Sequence, residues 1–196
     1  MKWRWLLIAL LLYAAWTGWL NRPLTRAPGI LVADAPLQSD PPPGVAPIER
    51  AGYRIMPLQY LSLEARVLAA ERYRFDREAD LSPVDLALGW GAMSDSAVLA
   101  NIDISQGRRF YFWRVHEFPI PRRDIETHSA NMHMIPETRR IALTLKSLRP
   151  GQVIKATGYL VEARAPDGWV WRSSLTREDT GAGACELVWL TSLEVR

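Results

Sequence analysis

The sequence predicts an α+β domain, in which an antiparallel, strongly curved sheet carries two or three short helices, preceded by one transmembrane helix. Three observations lead to this prediction. Residues 3–20 form one apolar run, period-two alternation recurs through residues 51–196, and only short stretches there have helical periodicity. Because Gly158 interrupts a long strand that leads into a meander, we expect a small curled sheet or an OB-like, partly closed barrel.

The N-terminal run has the length and ends of a membrane anchor. Residues 3–20 contain one charge, and a helix of about 18 residues spans roughly 27 Å. We therefore expect a single-pass signal anchor. The alternatives are a cleaved signal peptide, although no small-x-small site closely follows Leu20, and a soluble chain. Four tryptophans stand near the ends of the run, as at membrane interfaces: Trp3, Trp5, Trp16 and Trp19.

Basic residues flank both ends of this run, with Lys2 and Arg4 on one side and Arg22 and Arg26 on the other. Together with the α-amino group, they give a slight bias towards an N-terminus inside and a domain outside. In a Gram-negative bacterium, this arrangement corresponds to an inner-membrane protein with a cytoplasmic N-terminus and a periplasmic domain.

Residues 21–50 are rich in proline and poor in aromatic residues. No periodic apolar face can be drawn through them, so we expect a semi-rigid, polyproline-like linker between the anchor and the globular domain of residues 51–196. A proline-rich ligand for another protein is the alternative interpretation.

The first half of the domain has four local patterns. Residues 61–67 alternate in polarity and predict a half-buried strand. Residues 82–91 begin with a capping serine, a proline and an acid, which predict a short helix ended by glycines. Ser94 or Asp95 caps a second short helix, and residues 110–115 predict an aromatic strand.

The second half predicts one longer helix and a meander. Residues 125–128 are expected to form a short strand, and residues 137–147 have apolar positions at helical spacing. Gly151 ends that helix. Three antiparallel strands are expected to follow, at residues 153–163, 169–176 and 185–195.

Charge and cysteine content narrow the function classes. Residues 51–196 contain 19 basic and 18 acidic residues, so no broad basic face is available and nucleic acid is not an expected partner. An OB-like module that binds single-stranded nucleic acid is a third hypothesis. Cys185 is the only cysteine, which excludes an intrachain disulfide. Without a cationic neighbour in sequence, it is interpreted as a small hydrophobic residue of a strand.

Residues 126–136 contain two of the three histidines. His128, Ser129 and His133 are the candidate catalytic residues, because a hydroxyl beside a histidine that an acid orients is an arrangement for nucleophilic catalysis. A turn that joins both histidines to a third ligand would instead form a metal site. The spacing matches no known metal motif, so we expect no metal and no cofactor, and a hydrogen-bonded polar loop is the alternative.

A second polar cluster covers residues 171–183. Its arginines are expected either to bind an anionic ligand or to form ion pairs at a solvated hairpin end. Trp169 and Trp171 share one face of the predicted strand, which would be a binding surface if exposed. The candidate ligand-binding residues are Trp90, Asn131, Trp171, Arg172 and Arg177.

Residues 82–91, 128–136 and 167–186, the last with Trp-x-Trp and Gly-Ala-Cys-Glu motifs, together resemble a group of uncharacterised bacterial proteins. Members of this group often have one predicted N-terminal membrane segment. The resemblance covers most of residues 53–196. It implies the same layout and no activity, ligand or catalytic residue.

The anchor, the linker and the lack of a catalytic signature together favour a non-enzymatic function. We expect a membrane-anchored envelope protein whose extracytoplasmic domain binds a protein or another envelope component. The alternative is a membrane-tethered hydrolase or metal-dependent enzyme that uses the His128–His133 segment.

Overall fold

The computed structural model describes residues 2–20, 22–179, 181 and 183–196. The helices of this part of the chain are α1 (Lys2–Leu20), α2 (Ser96–Leu99), α3 (Arg122–Thr127) and α4 (Arg139–Ser147), with short 3-10 helices at Arg77–Asp80 and Gly91–Ser94. The strands are β1 (Leu37–Ser39), β2 (Ile48–Arg50), β3 (Tyr53–Arg72), β4 (Val84–Gly89), β5 (Asp103–Gly107), β6 (Phe110–Arg114), β7 (Ser129–Pro136), β8 (Val153–Arg164), β9 (Val170–Arg172) and β10 (Glu186–Val195).

Eight strands form one sheet in the order β1-β3-β4-β7-β10-β8-β9, with β2 beside β3. The long strand β3 accounts for its shape. Residues 54–66 of β3 pair with β8, whereas residues 66–72 pair with β4, so the sheet bends back towards itself. The α+β class and the strong curvature are confirmed. The expected OB-like barrel is not confirmed, because the sheet is ring-like but not a barrel.

The helix expected over residues 82–91 is wrong. Residues 84–89 form β4, and all six are buried between β3 and β7. Burial in the sheet therefore overrides the local capping pattern that begins at Ser82. Ser82 instead directs its hydroxyl to the carbonyl oxygen of Val84.

Two further expectations differ from the structure. Residues 122–127 form α3, where a short strand was expected from residue 125 onwards. β10 lies between β7 and β8 and is parallel to β7, so the last three strands are not a simple antiparallel meander. The strand at residues 61–67, the aromatic strand β6, the Asp95 cap of α2 and the helix α4 are confirmed.

Gly158 permits a close approach between β8 and β10. A Cβ atom on Gly158 would collide with the backbone carbonyl oxygen of Trp189. The register between the two strands shifts nearby, between Leu190 and Ser192. The glycine thus serves backbone packing inside a curved sheet.

Alternate residues of the central strands fill the main core. They are Leu86 and Leu88 of β4, Met132 and Met134 of β7, and Val188 and Leu190 of β10. Successive side chains of a strand point to opposite faces of the sheet. The intervening residues Asp85, Asn131 and His133 therefore share the other face.

Residues 22–50 lie against the domain. β1 and β2 pair with β3, and Val32 is buried in the main core. The Leu24 amide donates to the carbonyl oxygen of Pro150 over 2.8 Å. Parts of the proline-rich segment thus pack on the domain, although most of its residues are exposed. Residue 21, the expected start of the linker, lies outside the described residues.

Helix α1 exposes apolar residues wherever its side chains are described. The side chains from Trp3 to Ile8 are all exposed, and six consecutive residues cover every side of a helix. The side chains of Trp16 and Trp19 are not among those described. Within the described part of the chain, no helix combines the length and apolar character needed to cross a membrane.

Candidate functional site

Strand pairing brings Asp85, His133 and Cys185 together. The antiparallel β4–β7 pair sets Asp85 opposite His133, and the parallel β7–β10 pair sets Glu186 opposite Met132. Cys185 precedes Glu186 by one residue and therefore lies level with Asn131 of β7. Its Sγ atom is 3.5 Å from Nδ2 of Asn131.

His133 lies between a carboxylate and a thiol. Its Nδ1 atom is 2.9 Å from Oδ2 of Asp85, and both side chains are buried. Burial acts to lower the pKa of His133, but its interactions with Asp85 and Cys185 outweigh burial and raise the pKa to about 9. The imidazole is therefore protonated at neutral pH. The Trp171 ring packs beside it, with ring centroids 4.8 Å apart.

Arg109 holds Asp85 from the other side. Its Nη1 atom is 2.9 Å from Oδ1 of Asp85, and its Nη2 atom is 2.6 Å from Oδ1 of Asp76. The guanidinium also lies over the Tyr73 ring, 3.7 Å from its centroid. Asp85 thus contacts two cationic groups, Arg109 and protonated His133, which compensates for the desolvation of a buried carboxylate.

Arg109 stands at the tip of the β5–β6 hairpin, beside Arg108. The two residues have φ angles of 70° and 52° respectively, a left-handed conformation that is unfavourable for residues other than glycine. Hydrogen bonds hold the tip in place. The Arg109 amide donates to the Tyr73 hydroxyl over 3.0 Å, and its carbonyl oxygen accepts from Nδ2 of Asn131 over 3.0 Å. The strained turn therefore ties the hairpin to the site.

A cavity of about 310 Å³ adjoins Cys185. Its volume is at the lower end of the roughly 300–1,000 Å³ that small-molecule sites occupy. Residues 110–113 of β6 form an aromatic wall, and Asn131, Arg177 and Glu186 supply polar groups. Cys185 is half-buried and is one of the residues that line the cavity.

Arg177 and Glu186 form a buried ion pair on the cavity wall, through Nη1 and Oε1. Glu186 is 2% exposed. Burial raises its pKa to about 7, although the charge of Arg177 opposes the shift. Among the described residues, Oε2 of Glu186 and the Nε and Nη2 atoms of Arg177 have no hydrogen-bond partner. An unsatisfied buried polar atom costs about 1–3 kcal/mol, so the ion pair only partly compensates for the burial of these groups.

Five of the residues predicted from the sequence belong either to the contacts around His133 and Cys185 or to those around Arg177 and Glu186, and Ser129 lies on the cavity wall as well. His133, Asn131 and Trp171 belong to the group around the thiol. Arg177 lies with Glu186, and its guanidinium is 5.6 Å from the centroid of the Trp90 ring.

The other three predicted residues have local partners. Nδ1 of His128 donates to the backbone carbonyl oxygen of Asp124 over 2.8 Å. The hydroxyl of Ser129 donates to the backbone carbonyl oxygen of Ile125 over 2.6 Å. His128 and Ser129 are thus each bonded within the α3 segment. Arg172 pairs with Glu162 at 2.6 Å, with its side chain 56% exposed.

Sequence reasoning missed Asp85 and Cys185. Asp85 could have been found from the sequence, because it is the one charged residue in the apolar run of residues 84–89. A carboxylate buried in a strand needs a specific partner. No local signal identifies the partners of Cys185, since they come from other strands. Among the described residues, no group of three or more His, Cys, Asp or Glu side chains is arranged to hold a metal ion.

Comparison with known proteins adds no further assignment. The chain matches no protein-family model, and it has no significant match among curated proteins or solved structures.

Proposed function

We propose that this protein is a cysteine-dependent acyl-transfer enzyme, and a hydrolase when water is the acceptor. Cys185 is the nucleophile, His133 the acid and base, and Asp85 the residue that orients His133. The proposal rests on one observation: His133 interacts with the Asp85 carboxylate and with a thiol that lines a cavity. A histidine that interacts with a cysteine and with a carboxylate is the arrangement that cysteine-dependent acyl transfer uses.

The proposed roles of Cys185 and His133 follow from their positions next to each other. The Cys185 thiolate attacks a carbonyl carbon, forming a carbon–sulfur bond while an electron pair moves to the carbonyl oxygen. When this intermediate collapses, the bond to the leaving group breaks and His133 donates a proton to that group. Water or an amine then attacks the thioester and gives a proton to His133. The thiolate leaves, and both groups return to their starting state.

This proposal develops the hydrolase alternative from the sequence, with Cys185 replacing Ser129 as the nucleophile. His133 is retained, and His128 is given no role because its imidazole is bonded to the α3 backbone. A non-enzymatic interaction module stays a prediction from the sequence.

We expect p-nitrophenyl acetate to acetylate Cys185. Intact-protein mass spectrometry should find one added acetyl group, and peptide mapping should place it on residue 185. Cys185→Ala and Cys185→Ser should show neither the adduct nor release of p-nitrophenol above the uncatalysed rate, because Cys185 is the only thiol.

The Ser129→Ala variant is the matched control, since it removes a hydroxyl from the same cavity wall. It should keep the adduct. Acetylation spread over lysines and the N-terminus with none at Cys185, or turnover that persists in Cys185→Ala, would disprove the proposed function.

We also propose that α1 attaches the domain to a lipid bilayer. Its exposed apolar side chains include Trp3, Leu7 and Leu11, which are 81%, 58% and 69% exposed. An apolar surface of this kind is stabilised by lipid, and Lys2 and Arg4 add attraction to anionic head groups. Single-pass topology and a periplasmic domain stay predictions from the sequence.

Vesicle sedimentation tests the attachment. The full-length protein should pellet with phosphatidylglycerol–phosphatidylethanolamine vesicles, whereas Leu7→Arg/Leu11→Arg should stay in the supernatant because two charges replace buried apolar contacts. The exposed substitution Leu143→Arg, on α4, is the control and should pellet with the vesicles. Wild-type protein that stays soluble beside the vesicles would contradict the attachment.

A further inference from the structure

We infer that the tip of the β5–β6 hairpin and the adjacent loop of residues 73–76 form a second contact with an anionic lipid bilayer. The apolar part of this surface is the phenylalanine patch, which consists of Phe75, Phe110 and Phe112. The inference deepens the proposed attachment through α1 and rests on it, because it states how the attached domain is oriented. Since Phe110 and Phe112 also line the cavity, a domain bound in this way holds the cavity next to the lipid.

The phenylalanines of this chain all lie outside the core. The sequence contains four. Phe75 is 99% exposed, and Phe110, Phe112 and Phe118 are 42%, 54% and 49% exposed. Phenylalanine is normally among the most frequently buried residues. Exposed apolar side chains that stand together mark a contact surface, so this cluster indicates that an apolar partner covers it.

Strand alternation and one ion pair bring the phenylalanine patch together. Phe110 and Phe112 are on the same side of β6, with ring centroids 6.3 Å apart, while the alternate residues of β6 pack against the core. The carboxylate of Asp76 binds the guanidinium of Arg109 at the hairpin tip. Phe75 precedes Asp76 and Phe110 follows Arg109. This ion pair therefore joins the two segments that carry the patch.

Arginines flank the phenylalanine patch on both segments. Arg74 precedes Phe75, and Arg108 stands at the hairpin tip. Neither guanidinium has an ion-pair partner in the part of the chain that the structure describes. The acid of the hairpin, Asp103, lies at its open end opposite Arg114. Apolar side chains between unpaired cations are complementary to a lipid interior beneath anionic head groups.

The proposed attachment favours a bilayer over a soluble protein as the partner. Helix α1 exposes apolar side chains such as Trp3 and Leu7. A domain that α1 attaches is confined near the lipid surface, so a second contact that is weak by itself forms readily.

The central sheet separates the phenylalanine patch from α4. Leu86 and Leu88 of β4 face the main core, to which α4 contributes Ile141. Ala87 faces the opposite side, where the hairpin packs. Leu143 is an exposed residue of α4, so it provides a control position on the far side of the sheet from the hairpin.

A fluorophore at residue 75 tests the inference. Full-length Cys185→Ala/Phe75→Cys is labelled with the environment-sensitive fluorophore NBD. With phosphatidylglycerol–phosphatidylethanolamine vesicles, its emission should shift to shorter wavelength by roughly 10 nm or more, because the probe enters an apolar region. Adding Phe110→Ser/Phe112→Ser should abolish most of this shift, since the two rings beside the probe no longer bind lipid.

The matched control carries the fluorophore at residue 143, in Cys185→Ala/Leu143→Cys. It should show no shift with the same vesicles. Adding Arg74→Gln/Arg108→Gln to the protein labelled at residue 75 should reduce its shift by about half or more, because each arginine near an anionic surface adds attraction. An unchanged shift in either double variant of the patch or its arginines would overturn the inference.

Sedimentation of the same samples separates the inference from the attachment through α1. Protein that pellets with an unshifted fluorophore at residue 75 would overturn the inference and leave the attachment standing. Protein that stays in the supernatant would remove both. Equal shifts at residues 75 and 143 would show unspecific adsorption, and a shift without vesicles would show contact between protein molecules. Either of these results would also overturn the inference.

Discussion

Replacing His133 by glutamine should slow acetylation of Cys185 by p-nitrophenyl acetate about 100- to 10,000-fold. Glutamine can still form hydrogen bonds near Asp85, but it cannot act as an acid or a base near neutral pH. The rate of p-nitrophenol release under single-turnover conditions measures the effect.

The rate of thiol alkylation tests the role of His133 with a reagent that requires no proton donor. With iodoacetamide at pH 7, His133→Gln should react more slowly than the wild type, because it lacks the histidine beside the thiol. His128→Gln is the matched control, because His128 is bonded to the α3 backbone; its rate should stay within about twofold of the wild type. Near-wild-type acetylation in His133→Gln would remove His133 from the mechanism.

Raising the pH from 6.5 to 9 should lower the free energy of unfolding by about 3 kcal/mol through His133. The folded protein retains the His133 proton up to a pKa of about 9, while the unfolded chain releases it near the ordinary value of 6.5. The folded state therefore binds more protons in this window. The stabilisation is complete below pH 6.5 and is lost as the pH rises through 9. Urea unfolding at pH 6.5, 7.5 and 9 measures it.

Asp85→Asn should remove most of this pH dependence. Without the carboxylate, burial acts to lower the pKa of His133, so the loss between pH 6.5 and 9 should shrink to less than about 1 kcal/mol. At pH 7 the variant should also be destabilised by about 3–5 kcal/mol, because Arg109 and His133 lose a buried partner.

Glu186→Gln provides the comparison for this measurement. The pKa of Glu186 is raised to about 7 by burial, so its stabilisation is present below about pH 4.5 and is lost as the pH rises through 7. Its replacement should leave the slope between pH 7 and 9 intact. Equal slopes for the wild type and Asp85→Asn in that interval would show that His133 and Asp85 do not interact as described.

Much of the fold could be predicted because it follows from local patterns. The alternation at residues 61–67 corresponds to part of β3, and the helical spacing at residues 137–147 corresponds to α4. The start of β4 could not be predicted in this way. Residues 82–85 contain a serine, a proline and an acid in the order that often begins a helix. The segment forms a strand because it pairs with β3 on one side and β7 on the other.

The candidate site was less accessible to sequence reasoning. The stretch at residues 126–136 drew attention to His133 and Asn131, which lie beside the thiol. The contacts of Cys185 depend on the register between β7 and β10, and no local pattern encodes a parallel pairing across such a long separation. Cys185 therefore interacts with His133 in the folded protein, although it has no basic residue next to it in the sequence.

The position of β10 between β7 and β8 links reactivity to folding. Until β10 pairs with β7, Cys185 has no imidazole beside it. Under the proposed mechanism, an incompletely folded chain therefore carries the thiol without the proton donor and acceptor that acyl transfer requires. The proposed reactive pair forms only in a chain whose sheet includes β10 beside β7.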